Sequence, residues 1–373
     1  VDGLIVRSDE CIEISLDEPL PIYPVLLADS SAAIVREVES AGGTSVIGTG
    51  PFVFADRDAH RMVLQRNPSY WGAPLPYLDT IEFKIDLDMT MIQDGVRRGE
   101  IDLVHCEDYD AIERLVRDPR VQATLVDALA RDVCFLLFNT SSPVGCRAPL
   151  RKAMAGTVRT QALVWQAFGR TAMPAVGLIP PGMLGSDPGR RLRQSTSEQA
   201  LDALRAAGIS GETRVRCAIS PAFVERNAEM FNRLFAAWAE LGIRVEIVTR
   251  TIDEFRGSLA DPSNIDLIVG RWTGDYDDPD NFTFGLFHSS LGAFRKFHSS
   301  PELDLLVEQA RGETRPEARE LLYRKFETAL IDAAIAVPLF HGADYRLVSR
   351  GLRGLTLSNS APFVNCARIG RTS

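Results

Sequence analysis

A tryptophan and several carboxylates stand together in the segment IVGRWTGDYDDPDNFTFGLF at residues 268–287. An apolar strand predicted over residues 265–269 delivers a glycine, Trp272 and Asp275 into a loop, and loops at strand ends are where α/β proteins bind ligands. The indole offers flat apolar area, and a carboxylate pairs with an ammonium group where water is excluded. These residues predict a site for an amphipathic, amine-bearing guest. The competing interpretation places Trp272 in the core and makes the aspartates caps of turns.

The aspartates of this segment could also serve other chemistry. Two of them could act as acid and base in a hydrolase if burial separated their pKa values, and an oxygen-rich loop could hold a cation. The segment lacks the glycine and the closing glutamate of an EF-hand loop, which disfavours calcium. Catalysis and cation binding are therefore minor alternatives for these four residues, Asp275, Asp277, Asp278 and Asp280.

Sequence motifs of catalysis and of cofactor binding are missing. There is no GxGxxG opening a helix, no Walker A loop, no HExxH and no GxSxG. His288 and His298 are the closest pair of histidines, and solvated or singly hydrogen-bonded histidines are favoured over a metal site there. The six cysteines show no CxxC spacing, and buried free thiols are favoured over disulfides. We therefore expect no catalytic residue, no metal ligand and no cofactor.

The totals indicate a globular protein with two lobes or domains. A length of 373 residues is too great for one small core, and 45% hydrophobic with 24% charged residues is an ordinary composition. The net charge of -9 disfavours nucleic acid and anionic membranes as partners, because both select basic surfaces. No apolar run of about 18 residues predicts a membrane span, and the first residues lack the features of a signal peptide. Because residue 1 is Val rather than Met, we expect the sequence to be a piece of a longer polypeptide.

Strand and helix patterns alternate along the chain, which predicts an α/β fold. The clearest unit spans residues 214–248, where one long helix at 222–241 connects two strands that should be parallel. A continuous apolar run at 134–138 predicts a strand buried on both faces. A helix at 197–207 should have a serine cap and end at Gly208. Further predicted elements are a hairpin at 3–16, strands within 52–66 and at 80–85, 101–105 and 337–341, and helices at 90–98 and 316–334.

Motifs spread over nearly the whole chain resemble those of one family. Residues 272–282 match the signature W-x-x-D-Y-x-D-P-x-N-F, which includes Trp272, Asp275 and Tyr276. The chain is thereby identified as a member of the family 5 extracellular solute-binding proteins, the dipeptide, oligopeptide and nickel receptors of ABC importers. The other matching motifs, in the family's usual order, are GTGPF at 48–52, LQRNPSYWG at 64–72, PYLD at 76–79, GEID at 99–102, FN at 138–139, PLRKA at 149–153, IPPGM at 179–183 and VPLFH at 337–341.

The resemblance implies an α/β fold of the large, two-lobed periplasmic-binding-protein type, with a hinge between the lobes. We expect residues 1–137 to form part of the first lobe, residues 138–340 the second lobe, and residues 341–373 a return to the first. A solute would be held between the lobes without a cofactor.

The resemblance also implies a role for each residue of the site. In peptide-binding members, the aspartate at the position of Asp275 pairs with the α-ammonium of the ligand, and the tryptophan is Trp272. Backbone groups of Gly270 and Thr273 would pair with an extended peptide as an added strand, and Tyr276 belongs to the same motif. Nickel-binding relatives usually lack this aspartate, so Asp275 favours a peptide or another amine-bearing solute.

Two departures from the family pattern matter. Residues 156–160, GTVRT, replace the usual A-I-D-R element, and the family's N-terminal segment has no counterpart, so the inferred site is half of a site. The resemblance implies an extracytoplasmic, monomeric solute-binding protein that serves an ABC-importer permease, contacts no nucleic acid and is not an enzyme. The alternative is a ligand-sensing domain of the same fold in a larger cytoplasmic regulator.

Overall fold

A computed structural model describes residues 3–40, 43–105, 109–121, 123–129, 132–169, 171–357 and 363–372. Cys106 lies outside these residues. The strands within them are β1 (Leu4–Ser8), β2 (Cys11–Ile14), β3 (Val35–Ser40), β4 (Gly43–Gly48), β5 (Phe52–Arg57), β6 (Arg61–Arg66), β7 (Thr80–Lys84), β8 (Leu103–His105), β9 (Ala123–Leu129), β10 (Asp132–Phe138), β11 (Ala172–Pro174), β12 (Thr213–Ala218), β13 (Ile243–Ile247), β14 (Leu267–Thr273), β15 (Ala336–Ser349), β16 (Leu352–Arg353) and β17 (Gly370–Arg371).

The helices within the same residues include those predicted at 90–98 and 316–334, which are observed at Met89–Arg97 and Pro316–Asp332. They are α1 (Tyr23–Leu26), α2 (Met89–Arg97), α3 (Tyr109–Arg117), α4 (Ala148–Thr157), α5 (Thr160–Phe168), α6 (Ser197–Ala206), α7 (Pro221–Arg226), α8 (Ala228–Ala239), α9 (Ile252–Ala260), α10 (Phe284–Phe287), α11 (Pro301–Gly312) and α12 (Pro316–Asp332). In the part of the chain that the structure describes, no helix is both long enough and apolar enough to cross a membrane.

Contacts divide the chain into two compact units. Unit 1 comprises Val1–Leu26 and Arg131–Gly342, and unit 2 comprises Leu27–Ala130 and Ala343–Ser373. The lobe limits inferred from the sequence remain a prediction.

The sheet of unit 1 has the strand order β11-β15-β10-β14-β12-β13. Strands β12 and β13 pair in parallel, as predicted, whereas β10 is antiparallel to both β14 and β15. Every residue of β10 is buried, which confirms the strand expected to be covered on both faces. Its alternate side chains enter two separate hydrophobic cores: Cys134, Leu136 and Phe138 on one face, and Val133, Phe135 and Leu137 on the other.

The connection between β12 and β13 corrects the prediction of one long helix. The helix is broken at Asn227, whose backbone leaves the helical region with φ -118° and ψ 26°, so that α7 and α8 are separate. Asparagine competes with helical hydrogen bonding, and the Asn227 side-chain amide donates to the carbonyl of Phe223 at 2.8 Å. Helix α8 still buries an apolar stripe through Met230, Leu234 and Trp238.

The cap of α6 is Thr196, one residue before the serine that the sequence suggested. The Thr196 hydroxyl accepts from the backbone N–H of Gln199, and the Gln199 side chain accepts from the N–H of Thr196. This reciprocal pair is a capping box. Gly208 follows the helix with a φ of +70°, a left-handed conformation that suits glycine.

Unit 2 consists mainly of small antiparallel sheets. Strand β3 pairs with β4, the strands β5, β6 and β7 form a three-stranded sheet, and β9 pairs with the second half of β15. A small core of buried residues lies beside α2 and α3 and includes Val104, Leu115 and Leu347. The predicted strands within residues 52–66 and at 80–85 are present, and so is the predicted N-terminal hairpin β1–β2, which belongs to unit 1.

Candidate functional site

The strand that leads to the candidate site is longer than the sequence indicated. The apolar pattern predicted a strand that ends at residue 269, with Gly270 and Trp272 in a loop. In the structure, β14 continues to Thr273, because β10 pairs with it from Phe138 opposite Leu267 to Asp132 opposite Thr273. Three of the predicted site residues, Gly270, Trp272 and Thr273, are therefore held in a sheet.

One edge of this strand is open near its end. Strand β12 pairs with β14 only at Leu267 and Ile268, whereas β10 covers the whole length of the other edge. Within the described residues, no strand pairs with residues 269–273 on the side of β12. An open edge carries unpaired N–H and C=O groups, which an extended peptide can use as a template.

Gly270 is required for packing at this place. A Cβ atom added at Gly270 would lie 2.9 Å from the ring of Phe135, the residue opposite it on β10. The aromatic ring therefore occupies the space where a side chain would stand. This contact alone explains the glycine, whatever its backbone binds.

Trp272 is half-buried and lies with its ring against the core that contains Phe135. Its indole N–H donates to the side-chain oxygen of Asn281 at 2.5 Å. The sequence suggested either a core residue or a ring available to a ligand. The structure shows a ring that is packed on one portion and accessible on the remainder. The bond to Asn281 ties the strand to the loop that follows it.

The loop after β14 is anchored by two buried carboxylates. Asp278 accepts two hydrogen bonds from the guanidinium of Arg319, at 2.8 and 2.7 Å, and also caps the short 3-10 helix Pro279–Phe282 by accepting from the N–H of Asp280. Asp280 accepts from the hydroxyl of Tyr276 at 2.9 Å and lies 3.4 Å from the guanidinium of Arg311. These contacts fix the loop on helices α11 and α12.

Burial shapes the titration of this cluster. It raises the pKa of Asp280, against the opposing effect of the Arg311 charge. It also raises the pKa of the Tyr276 phenol, and the carboxylate of Asp280 adds to that rise. Tyr276 therefore remains a neutral hydrogen-bond donor at physiological pH, bonded to the loop through Asp280.

Asp275 differs from its neighbours Asp278 and Asp280. It is exposed, and its carboxylate has no hydrogen-bond or ion-pair partner within the described residues. Gly274 precedes it in a tight place, since a Cβ there would lie 3.0 Å from the ring of Phe282. An anchored loop at the end of β14 thus exposes the carboxylates of Asp275 and Asp277, and Asp275 stands three residues after the half-buried Trp272.

The aspartates therefore divide into two kinds. Asp278 and Asp280 are buried and lie against the guanidinium groups of Arg319 and Arg311, whereas Asp275 and Asp277 are exposed. Across the described residues, no group of three or more histidine, cysteine, aspartate or glutamate side chains could hold a metal ion.

The two histidines singled out in the sequence have separate hydrogen-bond partners. A ring nitrogen of His288 lies 3.0 Å from Glu308, and its other ring nitrogen accepts from the backbone N–H groups of Ser290 and Leu291. One ring nitrogen of His298 lies 3.0 Å from the hydroxyl of Thr140. His298 thus has one such contact and His288 has three, and both side chains are buried rather than solvated.

Sequence reasoning missed the residues that support the site. Asp132, opposite Thr273, is buried and accepts from the guanidinium of Arg271 at 2.8 Å and from the N–H of Gly342 at 2.6 Å. The only signal for this pair was the position of each residue at the end of an apolar run. Arg311 and Arg319 could not be assigned as partners of the loop aspartates, because no local pattern links residues so far apart in the sequence.

Comparison with known proteins identifies the relationship. Residues 1–293 match the model of the bacterial extracellular solute-binding proteins, family 5 middle. The chain belongs to this family. The motif-based identification is therefore confirmed.

Curated relatives of this family 5 protein are longer than the chain. It is 26% identical to heme-binding protein A of Haemophilus influenzae over 319 residues, which cover 84% of the chain and 57% of that relative. It is 25% identical to the dipeptide-binding protein of Escherichia coli over 368 residues, which cover 93% of the chain and 67% of that relative. The chain thus spans about 57% to 67% of the length of these two relatives.

Solved structures confirm the fold class of this family 5 protein. HbpA2 from Haemophilus parasuis superposes with a TM-score of 0.83 at 19% identity, covering 99% of this chain and 75% of that chain. The periplasmic binding protein DppA from Helicobacter pylori, solved in complex with the peptide STSA, gives 0.81 at 19% identity and covers 99% and 74%. The prediction of an α/β fold of the periplasmic binding-protein type is confirmed.

Proposed function

We propose that this family 5 protein captures a small peptide or another amine-bearing solute for an ABC importer, at the end of β14. The observation that carries the proposal is the exposed carboxylate of Asp275, which has no partner among the described residues and follows Trp272 and the open edge of β14. Family membership and relatives named for peptide binding support it.

The proposed mechanism assigns a separate task to each part of the site. The α-ammonium of the solute pairs with Asp275, and this pair strengthens when water is excluded around it. Backbone groups of Gly270 or of Thr273, which face opposite edges of a regular strand, pair with the extended solute at the open edge. The accessible part of the Trp272 ring covers an apolar side chain. Tyr276 acts through Asp280 to hold the loop.

A haem ligand fits these residues less well, although one relative is named a heme-binding protein. Haem carries carboxylates and no ammonium group, so the exposed Asp275 would repel its charged end. An amine-bearing solute meets an opposite charge at the same place.

The wider role follows from the family. We propose that the chain acts outside the cytoplasm, binds a permease of an ABC importer, works as a monomer and does no catalysis of its own. The family is described as extracellular and solute-binding, which supports the location and the absence of catalysis. The comparisons give no support to the alternative of a cytoplasmic sensing domain.

Calorimetry with the dipeptide Met-Leu tests the proposal, since one solved relative holds that peptide. The change Asp275→Ala should weaken binding about a hundredfold, as expected when one partner of a desolvated charge pair is removed. Asp277→Ala, which removes the same charge two residues along the loop, should leave the affinity close to that of the original protein. Equal affinities for Asp275→Ala and the original protein would overturn the proposal.

A further inference from the structure

A cavity of about 510 Å³ lies in unit 1, apart from the end of β14. Its lining includes Ala336 of β15, which stands opposite Leu137 on β10, whereas Trp272 stands opposite Val133. Four residues of strand separate these positions, about 13 Å. The cavity is therefore distinct from the proposed solute site.

The departure from the family pattern forms one wall of this cavity. Gly156 and Thr160, at the two ends of the GTVRT segment, both line it. A Cβ at Gly156 would lie 2.9 Å from the hydroxyl of Ser195, so the glycine lets the loop before α6 approach α4 closely. Arg159 fixes this arrangement by donating to the backbone oxygens of Gly156, at 3.0 Å, and Ser195, at 2.5 Å.

The hydroxyl of Thr160 has no hydrogen-bond partner within the described residues, although Thr160 is only 4% exposed. Buried hydroxyl groups normally have a partner, so an unpaired one in a cavity wall indicates a place for a bound polar atom. Thr160 is also the first residue of α5, and no side chain caps that helix. The first turn of an uncapped helix offers free N–H groups and the positive end of the helix dipole, which favour an anion.

Positive side chains line the same cavity. Lys152 and Arg191 have no carboxylate partner among the described residues, and Arg191 donates only to the backbone oxygens of Gly189 and Arg190. Arg193 is paired with Asp332 at 3.6 Å, but both are well exposed, so that pair is weak.

The other charges of the lining leave Lys152 and Arg191 available. Arg190 is neutralised by the buried Glu327, whereas Asp187 accepts only from the N–H of Gly189 at 3.1 Å among the described residues and keeps its negative charge in the lining. One cavity is therefore lined by two exposed cations that have no carboxylate partner in the described part of the chain, and by the buried Thr160 at the start of an uncapped helix.

We infer that this cavity is a second binding site, for a small organic anion with a carboxylate or phosphate group. The anionic group would lie between Lys152 and the first turn of α5, where it accepts from the Thr160 hydroxyl. The apolar side chains of Leu192, Ile331 and Val337 line the rest of the cavity and suit a short hydrocarbon part. The inference does not depend on the solute bound near Asp275.

Titration calorimetry with glutarate and, separately, with inorganic phosphate tests the inference, at an ionic strength kept constant with sodium chloride. At least one of the two anions should bind, and the one that binds shows whether the site takes a carboxylate or a phosphate group. Lys152→Gln and Thr160→Val should each weaken that binding about tenfold, as expected for the loss of a hydrogen bond that involves a charged partner. Thr160→Val keeps the shape of the side chain and removes no hydrogen bond to any residue that the structure describes, so it should fold normally.

Two controls separate this site from other effects. Lys325→Gln removes the same charge from an exposed position on α12 that does not line the cavity, and it should bind the anion unchanged. Asp275→Ala should also bind the anion unchanged, whatever happens to Met-Leu. Absence of binding for both anions, or equal binding by Lys152→Gln and the original protein, would overturn the inference.

Discussion

Individual carboxylates near Trp272 have different roles because their partners differ. The sequence shows the aspartates of residues 275–280 in one segment. Residue type alone could not tell which of them pairs with an arginine and which is exposed. Arg319 binds Asp278 from a position 41 residues further along the chain, and no local pattern predicts a pairing at that distance. Only Asp275 could be singled out in advance, through its place in the family motif.

Gly270 gives a direct test of packing under the site. Gly270→Ala would place a methyl group 2.9 Å from the ring of Phe135, so we expect a loss of about 1 to 3 kcal/mol in the free energy of unfolding. Urea denaturation measures this loss.

Gly257→Ala is the matched control. Nothing lies within 4 Å of a Cβ at Gly257, which is exposed inside α9, so alanine should stabilise the protein slightly through its helix propensity. Equal stabilities for Gly270→Ala and the original protein would show that the Phe135 contact does not constrain the strand.

Strand β14 and its loop show how far elements could be predicted. The apolar run located the strand. Its end at Thr273 depends on β10, which pairs with β14 as far as Asp132 opposite Thr273. Hydrophobic pattern shows where a strand is buried, whereas its length also follows from pairing with a distant strand. The break at Asn227 was missed for another reason: apolar residues continue on both sides of it, and the break lies in the backbone angles of one residue.

The loop after β14 should depend on its buried ion pair. Arg319→Met leaves Asp278 buried without its partner, and we expect a loss of about 3 to 5 kcal/mol in the free energy of unfolding. Affinity for Met-Leu should also fall, because Asp275 stands on the loosened loop. Urea denaturation and calorimetry measure the two effects.

Arg315→Met provides the comparison for that change. Arg315 pairs with Glu313 on the surface, and its side chain is 76% exposed, so its removal should change stability little. If Arg319→Met proved no more harmful than Arg315→Met, the Asp278 pair would not anchor the loop.

For the whole molecule, the fold class could be predicted from the sequence, but the open strand edge at the site could not. Alternation of strand and helix patterns gave the α/β class, and the parallel pairing of β12 with β13 followed from the crossover between them. The open edge of β14 could not be foreseen, because it depends on where β12 ends relative to β14 in space. The open edge is therefore a property of the assembled sheet and not of the sequence of β14 alone.

Stability of the protein should fall in mild acid. Burial lowers the pKa of His298 from its ordinary value of 6.5, and the charge of Arg151 lowers it further. As the pH falls, the unfolded chain takes up its proton first, so the contribution of neutral His298 is complete above about pH 6.5 and is lost as the pH falls through the lower pKa of the folded state.

Urea unfolding at about pH 7.5 and about pH 5.5 measures that dependence. His298→Gln should lose part of the acid sensitivity, whereas His60→Gln, at an exposed position, should keep it. An identical pH dependence for His298→Gln and the original protein would exclude His298 as the source.

Amide hydrogen exchange with and without Met-Leu tests most directly that the solute binds along the open edge of β14. We predict slower exchange within residues 269–275 when the dipeptide is bound, and no such slowing in Asp275→Ala at the same dipeptide concentration. Binding of Met-Leu with unchanged exchange in residues 269–275 would contradict this account.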